Sequence, residues 1–416
     1  MVHRFLARVG AVALLLSVSI CSPSHAWDWT HFHGSDIGGV DADAEMPAID
    51  SQSSVAWRFK LSSTEVGSPT VLDGKVYLLD AKPDGSEILV RAVGLTSGES
   101  IWQRSFPYTS HDVHKRNTFA SSTPAVDSEH VIVCWSEPLH TIMKCLDHEG
   151  NEVWTRDFGT WQSQHGFGTS PRIVGDKVIL LNSQQAEQLK PGQTPGKSRL
   201  MAINKQTGET IWETPLTTTR SCYGVPAVHG DQLIGANTGD GLFGVSIETG
   251  EMLWKTPVFE MRCCSSPIVV DDLAIGSSGS GGGGNHLVAV RIPSTKTQSA
   301  EQVYRIDRGA PYVPTSVVHQ GRLFMIDDKG IASCADVKSG KPIWTQRIGG
   351  NFGSSPILVG DKVLMISLDG KATVIRAADK FEKLAEVDLG GPVGSSPAFA
   401  DGRLLVRVGD ELVCWK

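Results

Sequence analysis

Residues 202–212 read Ala-Ile-Asn-Lys-Gln-Thr-Gly-Glu-Thr-Ile-Trp, and variants of this phrase recur along most of the chain. An apolar run leads into a Thr-Gly-Glu turn, and a tryptophan follows the turn. The positions equivalent to this tryptophan are Trp57, Trp102, Trp154, Trp212, Trp254, Tyr304, Trp344 and Leu384. A phrase that recurs in this way along the chain indicates one repeat architecture rather than a series of separate domains.

A second marker, a Ser/Thr-x-Pro phrase or a close variant, opens each copy and gives the same count. The marker prolines are Pro69, Pro124, Pro171, Pro226, Pro267, Pro314, Pro356 and Pro397, spaced 41 to 55 residues apart. Each copy carries short apolar runs joined by Gly-rich turns, which predicts a four-stranded antiparallel sheet. One such sheet must bury two faces, so neighbouring sheets stack around an axis. The predicted fold is an all-β, eight-bladed β-propeller.

The two ends of the repeat region are complementary. The last copy stops at Lys416 after three runs, whereas Val55-Ala56-Trp57-Arg58-Phe59 is a surplus run ahead of the first marker proline. This N-terminal strand is therefore expected to complete the last blade. Pairing the ends in this way leaves no free sheet edge between the first and last blades.

The repeated phrase resembles the tryptophan-docking repeat of the pyrroloquinoline-quinone (PQQ) propeller superfamily. The resemblance covers roughly residues 54–416 and concerns the fold motif. The superfamily includes PQQ-dependent alcohol dehydrogenases as well as BamB-type lipoproteins of the outer-membrane assembly machinery. Membership therefore implies the fold and leaves two different functions open.

The N-terminal region indicates export. Arg4 and Arg8 precede an apolar run, and Ser24-His25-Ala26 provides small residues for cleavage after Ala26, so residues 1–26 are predicted to be a signal peptide. Residues 27–53 form an N-terminal extension and residues 54–416 the propeller. An alternative makes Cys21 the lipid-modified first residue of a membrane-associated lipoprotein, although Ile20 is an unusual residue before such a cysteine.

The composition excludes some partners and leaves others open. The formal net charge is −7 and basic clusters are absent, which argues against a nucleic-acid partner. No later stretch is apolar enough for a transmembrane helix. The expected location is periplasmic or extracellular.

One face of the predicted propeller collects most of the candidate binding residues. The loops that enter the first strand of each blade share this face with the loops between second and third strands, and we call it the funnel face. It is expected to carry His111, His114, Arg116, Asn117 and His165. His-x-x-His with a flanking Asp112 could ligate a metal, but no third ligand can be placed, so the metal is unknown and a plain polar loop is the alternative. Trp161 is the tryptophan outside the docking positions that could lie at the funnel mouth.

Arg262-Cys263-Cys264, at the entry to the fifth blade, completes the candidate set. In the alcohol dehydrogenases of the superfamily an adjacent pair of cysteines forms a disulfide against the quinone, so the resemblance implies PQQ chemistry here. The surrounding phrase differs from that of those enzymes, and their calcium-ligating and catalytic acidic motifs have no match. Cys222 lies four residues before its marker proline, as Cys263 does, so a bridge between neighbouring blades is a further option. Buried thiols are the plainer interpretation.

Two functions follow. The first is a BamB-like binding or scaffold protein that holds a protein or extended polymer on its funnel face, with no catalytic residues. The alternative is a PQQ- and calcium-dependent dehydrogenase of an alcohol or sugar. The first is favoured because long loops on a rigid platform suit recognition.

Overall fold

The computed structural model describes residues 28–35, 38–49, 53–294 and 300–416. The predicted signal peptide and Cys21 lie outside these ranges. Within them the chain forms strands and turns, and it contains no helix. Consequently no helix in this part of the chain is long and apolar enough to cross a membrane.

The strands form eight antiparallel four-stranded blades, as the repeat predicts. Blade 1 contains Thr70–Leu72 (β3), Lys75–Ala81 (β4), Glu87–Gly94 (β5) and Ser100–Pro107 (β6). Blade 2 contains Ala125–Val126 (β7), Val131–Ser136 (β8), Thr141–Leu146 (β9) and Glu152–Asp157 (β10). Blade 3 contains Arg172–Val174 (β11), Lys177–Asn182 (β12), Arg199–Asn204 (β13) and Thr210–Pro215 (β14). Blade 4 contains Ala227–His229 (β15), Gln232–Asn237 (β16), Gly241–Ser246 (β17) and Met252–Thr256 (β18).

The second half repeats this order. Blade 5 contains Ile268–Val270 (β19), Leu273–Ser278 (β20), His286–Arg291 (β21) and Glu301–Ile306 (β22). Blade 6 contains Val317–His319 (β23), Arg322–Ile326 (β24), Ile331–Asp336 (β25) and Pro342–Arg347 (β26). Blade 7 contains Ile357–Val359 (β27), Lys362–Ile366 (β28), Lys371–Arg376 (β29) and Lys383–Asp388 (β30). Blade 8 contains Ala398–Ala400 (β31), Arg403–Val408 (β32), Glu411–Trp415 (β33) and Val55–Lys60 (β2).

Burial follows position in the blade. Second strands such as β8 and β12 are buried along their whole length, because both of their faces pack against neighbouring blades. The outermost strand β2 alternates between half-buried and exposed side chains, because its outer edge faces solvent. This gradient explains why the middle strands are continuous apolar runs.

In a repeat of this kind each tryptophan is expected to dock on a turn of the next blade, and the structure shows this for five of them: Trp57, Trp102, Trp154, Trp212 and Trp344. The indole of Trp102 donates to the carbonyl of His148 at 2.8 Å, and that of Trp57 donates to Leu95 at 2.9 Å. Gly98 has a φ of 70°, and a Cβ there would lie 2.5 Å from the Trp57 ring, so the turn under the indole requires glycine. Trp254 departs from the expectation. Its indole bonds Gln232 of its own blade at 2.8 Å.

The predicted closure is confirmed. Strand β2 pairs antiparallel with β33, and Trp57 lies opposite Cys414. Buried charges reinforce the junction between blades 8 and 1. Arg407 of β32, 1% exposed, reaches the carbonyl of Leu79 at 2.6 Å and the carboxylate of Asp80 at 3.4 Å. Arg91 bonds the other oxygen of Asp80 at 2.9 Å.

A belt of hydroxyl groups joins the blades around the axis. The residue two positions before each first strand donates its backbone N–H to the side-chain oxygen of its equivalent in the next blade. These bonds run Ser68→Thr123, Thr123→Ser170, Val225→Ser266, Ser266→Thr315, Thr315→Ser355, Ser355→Ser396 and Ser396→Ser68, at 2.9 to 3.2 Å. Blade 4 has valine at this position, so Ser170 has no hydroxyl to bond there. The belt explains why a serine or threonine directly precedes most of the marker prolines, at the middle position of the marker phrase.

The N-terminal extension enters the central channel from the face opposite the funnel. Asp28 accepts a hydrogen bond from Asp73, in the turn after the first strand of blade 1. The chain then reaches the level of the belt, where the ring of His33 bonds the Pro356 carbonyl at 2.7 Å. It returns as Val40–Asp41 (β1), which pairs in parallel with β27. We call residues 28–35 and 38–44 the plug hairpin. The sequence left two possibilities for residues 27–47, packing across a propeller face or partial disorder, and it did not indicate entry into the channel.

Candidate functional site

Two entry loops of the funnel face are held together by Asn117. Its side-chain amide donates to the carbonyls of His165 and Phe167 at 2.7 and 2.8 Å, and the His114 N–H donates to the His165 carbonyl at 3.3 Å. The imidazole rings of His114 and His165 lie 4.7 Å apart between centroids. The loops of blades 1–2 and 2–3 therefore form one polar surface.

The remaining predicted residues of these loops occupy different surroundings. His111 packs against Tyr108 and Phe119, away from His114. Arg116 is exposed. Trp161 is 6% exposed and packs edge-on against Phe167, with ring centroids 4.8 Å apart. Its ring is thus part of the packing beneath the loop.

Arg262 is buried at the base of the funnel face, and we call the buried residues around it the funnel floor. Its Nε donates to the Ser221 carbonyl at 2.8 Å, one Nη donates to Gln185 at 3.4 Å, and the side chain lies close enough to Tyr312 to interact with it. Only 8% of the residue is exposed, and within the described ranges it forms no ion pair with a carboxylate. A buried cation without an opposite charge is unusual, because burial penalises the charged form.

This cation affects the two histidines. Burial lowers the pKa of His165 to about 4, and the charge of Arg262 and the neighbouring His114 contribute further. The pKa of His114 is also lowered, first by burial and then by Arg116 and Lys115. Both imidazoles are therefore neutral at pH 7, and each offers one donor and one acceptor nitrogen.

Cys263 and Cys264 face opposite sides. Cys263 is fully buried, whereas Cys264 is half-buried and contacts Tyr312. Burial raises the pKa of the Cys264 thiol to about 12, although Tyr312 and Arg262 act in the other direction. A thiol with so high a pKa is a poor nucleophile at neutral pH. All seven cysteines in the described part of the chain are free, including Cys134 and Cys145.

Three residues of the floor were not predicted. Tyr223 hydrogen-bonds Ser163 at 3.0 Å, and Asp328 accepts a bond from the Tyr312 N–H at 2.8 Å. Burial raises the pKa of Asp328, and one of its buried oxygens has no partner among the described residues. All three lie in entry loops or in loops between second and third strands. Assigning tyrosines and acidic residues of these loops to the funnel face, as was done for the histidines, would have found them.

The loop between β12 and β13 leans over this floor. Its Gln185 and Ala186 amides donate to the carbonyls of Gln162 and Thr219 at 2.7 and 2.8 Å, so the base of the loop is anchored to two entry loops. Residues 187–188 and 190–195 are exposed. The loop extends the polar surface outward from Arg262.

A PQQ site of the dehydrogenase kind would require a calcium ion and side chains that can ligate it. Within the described ranges no group of three or more His, Cys, Asp or Glu side chains could hold a metal ion. Glu65 already bonds Ser63 and the Ala120 N–H. Asp328 bonds backbone amides through one oxygen, so it has a single oxygen to offer, whereas calcium takes six to eight. The vicinal cysteines point apart. The donor set on this floor does not fit calcium.

Apart from the funnel floor, the structure has a cavity of about 290 Å³ between the plug hairpin and the first strands of blades 3 to 6. His31, His33 and Arg172 line it. Burial lowers the pKa of His33 to about 4 and that of His31 well below its ordinary value, with Arg172 adding to the effect on His31. This cavity is on the far side of the belt from Arg262.

The fold and the floor together define an eight-bladed PQQ-repeat propeller with a polar funnel. A family model described as outer membrane protein assembly factor BamB matches residues 85–314 and 305–383, and the chain belongs to that family. No curated protein sequence matches the chain.

Solved structures share the fold. BamB from Moraxella catarrhalis aligns with a TM-score of 0.61 and 14% identity, covering 87% of this chain and 98% of that one. A europium-containing methanol dehydrogenase aligns with a TM-score of 0.64 and 14% identity, covering 92% and 90%. The quinohemoprotein alcohol dehydrogenase of Comamonas testosteroni aligns at 0.59 and 16%, covering 94% and 80%. At these identities the likeness concerns the fold.

Proposed function

We propose that this chain is an exported, non-catalytic binding protein that holds a protein or an extended polymer on its funnel face. The observation that carries the proposal is Arg262, a buried guanidinium surrounded by Tyr223, Tyr312 and neutral histidines, with no carboxylate partner in the described part of the chain. A partner's anionic or carbonyl group at this point would restore the missing counter-charge or add a charge-assisted hydrogen bond.

The surrounding groups favour recognition over reaction. The Cys264 thiol has a raised pKa, and the pKa of His165 is too low for a general base working near pH 7. Tyrosine and arginine are the residue types enriched where binding energy concentrates. The family membership supports this reading, and the N-terminal sequence pattern supports export.

The test replaces Arg262 by Gln, which removes the charge and leaves a shorter polar side chain that still forms hydrogen bonds. Arg291→Gln is the matched control, because Arg291 pairs with Asp272 at the opposite face and is half exposed. Immobilised protein is incubated with the organism's own cell-envelope extract, and retained partners are quantified by mass spectrometry. We expect at least a tenfold loss of partner with Arg262→Gln and no change with Arg291→Gln. Equal retention by both variants contradicts the proposal.

The dehydrogenase alternative keeps one favourable observation, the adjacent Cys263 and Cys264 at the entry to blade 5. Its test adds PQQ and calcium to the purified chain and measures quinone absorbance and dye reduction with alcohols and sugars. We expect neither. Stoichiometric quinone binding with substrate-dependent dye reduction would replace the binding proposal.

A further inference from the structure

The entry segments of blades 4 and 5 lie side by side at two cysteines. The Tyr223 N–H donates to the Cys263 carbonyl at 3.0 Å, and the Cys263 N–H donates to the sulfur of Cys222 at 3.4 Å. Both cysteines are completely buried, and both belong to the same apolar cluster. Cys222 and Cys263 are 41 residues apart in sequence.

The two side chains point into the same space. The sulfur of Cys222 lies 3.7 Å from the hydroxyl of Thr238, which donates to the Met261 carbonyl at 2.7 Å. The sulfur of Cys263 lies 4.0 Å from that same carbonyl. Burial acts to raise the pKa of both thiols; the neighbouring Cys263 acts to lower that of Cys222, whereas Cys222 adds to the rise at Cys263.

Cys264 is excluded from this arrangement. Successive side chains of an extended segment point to opposite sides, and Cys264 accordingly faces Tyr312 on the funnel floor. Any bridge within the Cys263–Cys264 pair would need both sulfurs on one side.

We propose that Cys222 and Cys263 are the site of a disulfide that joins blades 4 and 5 beneath the funnel floor, and that Cys264 stays a free thiol. The Cys222 thiolate attacks a disulfide oxidant RS–SR, forming Cys222–SR and releasing RS⁻. The Cys263 thiolate then attacks the Cys222 sulfur and releases the second RS⁻. The two cysteines lose two protons and two electrons, and the oxidant becomes two RSH. Because both sulfurs are buried, the reaction takes place during folding.

The bridge bears directly on the proposed binding site. Arg262 immediately precedes Cys263, and its Nε bonds the carbonyl of Ser221, which immediately precedes Cys222. Joining the two cysteines fixes both partners of that hydrogen bond. The inference rests on one part of the proposed function, the export of the chain, because disulfides persist in oxidising compartments.

The test maps the bridge in the purified full chain refolded with oxidised and reduced glutathione. Free thiols are alkylated, and the protein is digested with trypsin under non-reducing conditions. Cleavage after Arg220, Lys255, Arg262 and Arg291 gives peptides 221–255 and 263–291. We expect these two peptides as one linked species that separates on reduction, with the alkyl group on Cys264. Cys264→Ser should preserve the link and Cys263→Ser should remove it.

Two outcomes overturn the inference: a disulfide inside peptide 263–291, or full alkylation of Cys222 and Cys263. Thermal unfolding is a second test of the bridge, which applies even when a cysteine variant folds poorly. The melting temperature of the wild-type chain should fall by several °C after reduction, and that of Cys222→Ala should not respond. Cys334→Ala, another buried cysteine, should keep the wild-type response. Partner retention by Arg262→Gln is a separate measurement, so a missing bridge and a missing partner are distinguishable.

Discussion

Replacing Asp80 by Ala should weaken the closure of the ring more than any surface change. The Asp80 carboxylate is fully buried and accepts bonds from Arg91 at 2.9 Å, from the Ser62 N–H at 2.8 Å and from Arg407 at 3.4 Å. Burial holds the pKa of Arg407 below its ordinary value, and Asp80 is the first of the charges that oppose this. Without Asp80 a fully buried guanidinium loses its counter-charge. Removing one partner of a buried pair costs about 3–5 kcal/mol.

The assay is urea unfolding followed by tryptophan fluorescence, in which the midpoint should fall without a change in slope. Asp272→Ala is the control, because Asp272 and its partner Arg291 are half exposed and such pairs contribute about 0–1 kcal/mol. Combining Asp80→Ala with Arg407→Met should recover part of the loss, because the uncompensated charge is gone. A loss below about 1 kcal/mol for Asp80→Ala, or no recovery in the double variant, would refute this account of the junction.

Three further predictions concern the belt, the docking tryptophans and the plug hairpin. Val225→Thr should complete the hydroxyl belt by accepting the Ser170 N–H and should stabilise the protein by about 0.5–1.5 kcal/mol, read as a higher melting temperature. Trp102→Ala, which empties the buried contact with blade 2, should cost about 3–5 kcal/mol in urea unfolding. The folded-state pKa of His33 is about 4, below the ordinary 6.5, so the unfolded chain takes up the proton first and stability is lost as pH falls from 6.5 to 4. This loss approaches roughly 3 kcal/mol, and unfolding of His33→Asn against pH should show a correspondingly shallower decline.

The repeated elements could be predicted from the sequence because they repeat. The proline and tryptophan markers predicted the number of blades. The position of Trp57 ahead of Pro69 predicted the ring closure, because the surplus strand at the N-terminus can pair where the last blade lacks a strand. A marker proline predicts the start of a first strand only to within about two residues, as Pro314 shows. It lies two residues earlier than the other marker prolines relative to its strand, and Ser316 takes the usual place.

The plug hairpin could not be predicted in this way. The plug hairpin shares no pattern with the blades, and its contacts with Val71 and Pro356 join positions far apart in sequence. A single short parallel pairing, β1 with β27, leaves no periodic signature.

The positions of some funnel-face residues could be predicted, whereas their role in binding stays a prediction. Sorting loops by face brought His114 and His165 together, and it placed Arg262 in an entry segment. The burial of Arg262 depends on Tyr312 and Gln185, which come from blades on either side and are brought together only by the ring. Likewise, the opposite directions of Cys263 and Cys264 depend on backbone conformation, which the dipeptide does not reveal.

Site-specific photo-crosslinking in the cell can show whether partners bind at the funnel face. A photoreactive amino acid is placed at Lys115 or Lys190 on the funnel face, and at Gln320 or Lys338 on the opposite face, all of them exposed. The chain is expressed in its own organism and irradiated. The account predicts discrete crosslinked products from Lys115 and Lys190 that disappear with Arg262→Gln, and none from Gln320 or Lys338. Crosslinks confined to the opposite face, or products unaffected by Arg262→Gln, would contradict it.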